Sequence, residues 1–256
     1  MDKMLEIDGA SKSFGGLAAL ADVSFSVTRG QIKSLIGPNG AGKTTLYNIV
    51  TGVESLTEGA IWFLGERIDR LKPHVITQKG IARTFQSVEL FENMSVIENV
   101  MLGRHSRTRT GVFANAFRLP SARGEEKEIV DRSLELLEFV GLSQRVHEDS
   151  SGLPFGLQRY LEIARALATE PKLLLLDEPA SGLDSGEARG LCELITKIRD
   201  IGITVLLVEH NMDVAMDISD EIVVLNYGTK IAEGTPREIQ DNAEVITAYL
   251  GDESYA

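Results

Sequence analysis

The 256-residue sequence predicts an α/β fold: a parallel sheet buried on both faces, an N-terminal antiparallel β lobe, and an α-helical lobe inserted into the middle of the chain. Three observations carry this reading. Leu173-Leu174-Leu175-Leu176 is an unbroken apolar run and Ile203 to Val208 is apolar but for Thr204, both bounded by turn formers, the pattern of strands covered on both sides. A glycine-rich loop, Gly37-Pro38-Asn39-Gly40-Ala41-Gly42-Lys43-Thr44-Thr45, joins an apolar run (Ile32, Leu35, Ile36) to a helix-like segment, Thr44 to Val50, that stops at Gly52. Residues 87–163 lose the strand pattern; Val130, Leu134 and Leu137 follow a helical spacing that closes at Gly141.

Strand, glycine loop and helix in that order form the context of a P-loop and place the core in the P-loop NTPase (RecA-like) class. Small residues let backbone N–H groups converge on phosphate oxygens. The following helix presents its positive end to the same anion. Lys43 is then expected to reach the β- and γ-phosphates, and the Thr44 hydroxyl to ligate Mg²⁺. A glycine-rich turn that binds nothing is the alternative, and the complete spacing with both flanking elements argues against it.

The preceding residues, 4–36, read as strands, with Val23, Phe25 and Val27 alternating against polar neighbours. Phe14, just before Gly15-Gly16, can stack on a nucleotide base, although taken alone it reads as a core side chain. Gly59 to Leu64 and Gly80 to Phe85 are further strands. The second leads into Gln86, which can ligate Mg²⁺ or position a water. Ser95 to Leu102 reads as a helix. Asp177 and Glu178 follow the four-leucine strand, at the carboxyl end where open α/β sheets bind ligands. Asp177 is expected to hold Mg²⁺, and Glu178 to face the γ-phosphate and polarise the attacking water. Gly186 to Asp200 is an amphipathic helix. His210 follows the next buried strand; a lone histidine is usually structural or solvent-facing, but this position favours a functional role. Residues 222–225 and 231–232 flank a hairpin turn. Thr235-Pro236-Arg237-Glu238 reads as a capping box with proline at the first helical position, and Val245 to Leu250 as a last helix.

Composition narrows the classes. A net charge of −12 argues against a general nucleic-acid partner. The single Cys192 excludes an internal disulfide, fits a reducing compartment and reads as a small apolar helix residue. No secretory signal follows Met1, and no run approaches the ~20 apolar residues of a membrane span. Gly103 to Gly124 carries five arginines, no acids, and Phe113 and Phe117. Nucleic acid, a partner or lipid head groups, and a solvated loop all fit that stretch; the overall charge disfavours the first.

With the P-loop, Gln86, Asp177-Glu178 and His210 in this order, the chain resembles an ABC-type ATPase subunit over nearly its whole length. Ser181-Gly182-Leu183-Asp184 looks like that family's D-loop. Leu153-Pro154-Phe155-Gly156-Leu157-Gln158-Arg159 stands where its Leu-Ser-Gly-Gly-Gln signature is expected, followed by a good match to the signature helix, Leu161 to Leu167. Pro154 replaces the usual serine and Leu157 the usual glutamine, so the contact to a second subunit's ATP is expected to be weakened. Phe14-Gly15-Gly16-Leu17, Arg83-Thr84-Phe85-Gln86, Val96-Ile97-Glu98-Asn99-Val100, the 103–124 insertion and the ending Val245 to Gly251 resemble the ATP-binding subunits of branched-chain amino-acid importers.

The resemblance implies ATP and Mg²⁺ as ligands. Phe14, Gly37 to Thr45, Leu153, Pro154, Gly156 and Asp184 bind nucleotide. Thr44, Gln86 and Asp177 hold Mg²⁺, and Glu178, His210 and Gln86 are catalytic. It further implies a second ATPase subunit, two membrane permeases, indirectly a solute-binding protein, no nucleic acid, and a peripheral place on the cytoplasmic face of the membrane. It divides the chain into a core with its β lobe (1–86 and 164–235), a helical lobe (87–163) and C-terminal helices (236–256). Other cargoes (lipid or lipopolysaccharide export, urea uptake), a non-transport ABC protein and a non-hydrolysing regulatory subunit are the alternatives.

Overall fold

The structure, a computed structural model, describes residues 2–104 and 120–253. Its ten strands among the described residues are β1 (Lys3–Phe14), β2 (Leu17–Thr28), β3 (Ile32–Ile36), β4 (Glu58–Phe63), β5 (Glu66–Arg67), β6 (Ile81–Arg83), β7 (Leu173–Asp177), β8 (Thr204–Val208), β9 (Glu221–Asn226) and β10 (Thr229–Gly234). The described residues fall into two compact units: those up to Arg83 with those from Lys172 onward, and Thr84 to Pro171.

The first unit holds all ten strands in two sheets. The smaller is antiparallel, in order β2-β1-β4-β5; the larger runs β10-β9-β3-β8-β7-β6. Within the larger sheet β9, β3, β8, β7 and β6 are parallel, and only β10, paired to β9 through a hairpin, is antiparallel. Every residue of β3, β7 and β8 is buried, as mainly apolar strands are when both faces are covered. Their leucine and isoleucine side chains each contribute roughly 2 kcal/mol of burial. Lys33 is the charged residue of β3. Its buried ammonium is satisfied by the Ser26 carbonyl (2.7 Å), Glu221 (3.0 Å) and Glu233 (2.5 Å), which ties β3 to β2, β9 and β10. The C-terminal helix, Ala243–Glu253, adds Val245 and Tyr249 to the apolar cluster that includes Ile36, the last residue of β3.

The second unit is helical among its described residues: Val96–Arg104, Pro120–Phe139 and Phe155–Leu167. Gly103 shows how tightly two of these approach, since a Cβ there would lie 2.3 Å from the Arg165 carbonyl oxygen. The sequence ends the helical lobe at residue 163, midway along the helix Phe155–Leu167; the compact unit runs on to Pro171, because a helix is one hydrogen-bonded body. At the other edge, the strand expected over Gly80 to Phe85 ends at Arg83. The bulk of the arginine-rich stretch lies outside the described residues. Its first arginine, Arg104, is buried and paired with Glu170 at 2.5 Å. No helix among the described residues is long and apolar enough to cross a membrane.

Candidate nucleotide-binding and active site

The glycine loop leaves the buried end of β3 under tight steric control. Gly37 has φ +152°, and a Cβ there would sit 2.1 Å from the Leu225 carbonyl oxygen. At Gly42, φ +100°, a Cβ would meet the Ala19 carbonyl oxygen at 2.7 Å. Gly40 shares the left-handed backbone but faces open space. The first two are therefore glycine because neighbouring backbone fills the side-chain position; the third supplies only the turn. The helix Lys43–Val50 starts at Gly42 with no side-chain cap and no acidic residue in its first turn. Its leading N–H groups and dipole are left for an anion. Lys43 is buried, and its Nζ donates to the carbonyls of Gly37 (2.7 Å) and Pro38 (3.1 Å). Burial lowers its pKa, an effect opposed by Glu178 and Asp177. Thr44, next on the helix, is exposed.

Asp177 ends β7 almost fully buried, and its Oδ2 accepts from Arg83 Nη2 at 2.6 Å. Arg83, on the edge strand β6, also donates from Nη1 to Asn48 Oδ1 at 2.7 Å. Tyr47 Oη donates to the carbonyls of Leu206 (2.5 Å) and Leu176 (3.3 Å). The loop helix is thus moored to the sheet directly beneath the carboxylate, by residues the sequence reading did not single out for a role. An arginine at a strand end just before Gln86 was the one available signal.

Glu178 adopts φ +46°, a left-handed backbone that costs a non-glycine residue on the order of 1 kcal/mol. Its N–H donates to the Val208 carbonyl at 2.9 Å. Its Oε2 lies 3.4 Å from His210 Nδ1, so the ends of β7 and β8 bring this pair together. The histidine side chain is half exposed and the glutamate mostly buried. Phe14 is 46% exposed with Lys12 Nζ 4.7 Å above its ring, which overturns the reading of a core side chain and leaves an aromatic face at the surface. Asp184 is the N-cap of the helix Ser185–Asp200: Oδ1 accepts from the N–H groups of Gly186 (2.7 Å) and Glu187 (2.9 Å), and Glu187 closes a capping box.

Gln86 and the signature stretch belong to the second unit. The backbone around Gln86 is clamped by a buried ion pair. Arg159 donates to the Phe85 (3.1 Å) and Gln86 (2.6 Å) carbonyls, and Glu162 Oε1 accepts from the Phe85 N–H at 3.0 Å. Leu153 is buried, and Pro154 stands exposed as the N-cap of the helix Phe155–Leu167 with no side-chain cap bond. Its carbonyl accepts from the N–H groups of Leu157 and Gln158, and Gly156 is buried in the first turn. Proline starts this helix without strain, because position and φ (−52°) suit its ring, but it brings no hydroxyl.

The family model described as ABC transporter matches residues 20–181, and one described as branched-chain amino acid ATP-binding cassette transporter matches residues 229–255. The chain belongs to the ABC transporter ATP-binding cassettes. The high-affinity branched-chain amino acid transport ATP-binding protein BraF of Pseudomonas aeruginosa is 45% identical over 250 residues, 97% of this chain and 98% of that protein. Its counterpart LivG of Escherichia coli is 44% identical over the same shares. The probable LivG of Archaeoglobus fulgidus is 36% identical across 97% of this chain and 96% of its own. Among solved structures, the ADP conformation of an ATP-binding cassette of an ABC transporter superposes with a TM-score of 0.87 at 32% identity, covering 98% of this chain and all of that one. A dimeric cassette in a post-hydrolysis state, bound to ADP and Pi, gives 0.77 at 27% identity over 91% and 99%. The chain is therefore an ATPase of the ABC family, with the Gly37–Thr45 loop, Asp177 and Glu178 in one unit and the Leu153–Arg159 stretch in the other.

Proposed function

We propose that this cassette hydrolyses ATP to drive import of branched-chain amino acids. It works as one of a pair of cassettes bound to two permeases at the cytoplasmic face of the membrane, with a solute-binding protein delivering cargo. The observation that carries the catalytic part is the Glu178–His210 pair, 3.4 Å apart, beside the buried carboxylate of Asp177. The relatives named for branched-chain amino acid transport, and the C-terminal family match, support the cargo.

In this reading the Gly37–Thr45 loop cradles the phosphates, Lys43 exchanges its two carbonyl partners for β- and γ-phosphate oxygens, and Phe14 lies against adenine. Thr44, Asp177 and Gln86 would hold Mg²⁺. Hydroxyl, carboxylate and amide oxygens are the hard donors that ion prefers. When bound, Mg²⁺ neutralises charge on the β- and γ-phosphates. Glu178 takes the proton of the attacking water on a side-chain oxygen, and His210 holds that carboxylate and faces the γ-phosphate. Leu153, Pro154 and Gly156 approach the nucleotide of the second cassette, and Asp184 shapes the turn beside it. Pro154 contributes no hydroxyl there, which favours a different chain with a fuller signature as the second cassette.

Glu178→Gln is expected to bind ATP with near-normal affinity, lose about 10²–10⁴-fold in hydrolysis, and accumulate an ATP-bound dimer visible by light scattering. Undiminished phosphate release would refute the base assignment. In liposomes carrying the permeases, leucine delivered by the binding protein should stimulate ATPase where urea does not.

A further inference from the structure

We propose that Glu209 is a positioning residue for hydrolysis: its buried carboxylate anchors the Glu178–Ala180 turn to the end of β8 and so holds Glu178 in register with His210. The proposal rests on Glu178 being the base. Glu209 is 0% exposed, directly after β8, a fully buried strand that is apolar but for Thr204. Among the described residues it forms no ion pair with lysine or arginine. Its Oε1 instead accepts from the Ala180 N–H at 2.9 Å, and its Oε2 from the Asn211 N–H at 3.4 Å.

The choice of Ala180 has a chemical reason. Pro179 has no N–H, so Ala180 carries the first backbone donor after Glu178. The Glu178 N–H donates to the Val208 carbonyl at 2.9 Å. Consecutive residues of the 208–209 segment therefore grip the donors on either side of the proline, one by its carbonyl and one by its side chain. The Ser181 N–H, donating to the Glu178 carbonyl at 3.1 Å, closes the turn. This brace holds a left-handed, pre-proline glutamate in a backbone it would not otherwise choose. The same residue precedes His210, so one side chain couples the two halves of the pair. Burial raises the Glu209 pKa, with the two N–H bonds and His210 opposing, as expected of a carboxyl kept for its hydrogen bonds.

The test compares Glu209→Ala, →Asp and →Gln in the purified full-length chain by ATP turnover, ATP affinity and melting. Gln keeps an acceptor for Ala180; Ala removes it, and Asp withdraws it by one methylene. A misplaced base costs up to about 10²-fold. Ala is expected to lower kcat at least about tenfold with ATP affinity within about twofold; Asp should fall similarly, and Gln should stay within about threefold of the parent. In a Glu178→Gln background, Glu209→Ala should add nothing further. The proposal is overturned if Ala turns over normally, if kcat and ATP affinity fall together, or if Asp outperforms Gln. Should Ala not fold, the order of Asp and Gln decides. Normal turnover of Glu178→Gln alone would instead remove the base assignment, whatever the Glu209 variants do.

Discussion

At the residue scale, the Asp177 carboxylate shows how a charge expected at a metal is kept inside a sheet. It is buried at the end of an apolar strand and compensated by Arg83, itself buried and fixed by Asn48. Removing one partner of a buried pair leaves the other's desolvation uncompensated. Arg83→Met is therefore expected to destabilise the fold by about 3 kcal/mol, read as a lower urea midpoint with an unchanged slope. A midpoint equal to the parent's would show that other neighbours suffice. Arg83 was visible in the sequence only as part of a family motif, since nothing in linear order says that a three-residue edge strand pairs beside β7.

At the element scale, two helix starts divide the labour. The helix Ser185–Asp200 is closed by its own sequence: Asp184 and Glu187 satisfy each other's end groups. The helix Lys43–Val50 has no such cap, so its positive end is left for an anion. Asp184→Ala is expected to cost about 1 kcal/mol of stability, with Asp184→Asn largely neutral, measured by chemical denaturation. If Asn loses as much as Ala, the carboxylate is needed for more than capping. A third helix start, at Pro154, depends on the backbone alone and so leaves its side chain nothing to offer a partner.

At the scale of the whole molecule, two buried carboxyl groups tie stability to pH. Burial raises the pKa of both Glu162 and Glu209 above the ordinary 4.5. The native chain then holds more protons than the unfolded one in the window from 4.5 up to the folded values. Stability contributed by these groups therefore falls as pH rises through that window. The double variant Glu162→Gln, Glu209→Gln should gain stability relative to the parent between pH 4.5 and pH 8, measured by urea titration at both. A pH-independent difference, or a gain toward acid, would contradict the sign.

Much of this was legible in linear order because it rests on local chemistry. The glycine loop, the four leucines before Asp177, and the Thr235–Glu238 box each carry their structure in residue spacing, and the last forms with Pro236 at the first helical position. Phe14 was misjudged taken alone because exposure at a strand end depends on which neighbours cover it. The Arg159–Glu162 clamp on the Gln86 backbone and the Glu209 brace were missed for the same reason. Each joins segments about 30 to 75 residues apart, and a buried charge reads in sequence as a surface one.

What the sequence alone determined was the strand-loop-helix cradle and the order of its chemical groups, because backbone conformation there follows from glycine, proline and apolar spacing within a few residues. Tertiary structure decided which partner each carboxylate faces. Asp177, Glu178 and Glu209 look alike as letters, and only the pairing of β7 with β6 on one side and β8 on the other gives the first an arginine, the second a histidine and the third the backbone N–H groups of Ala180 and Asn211.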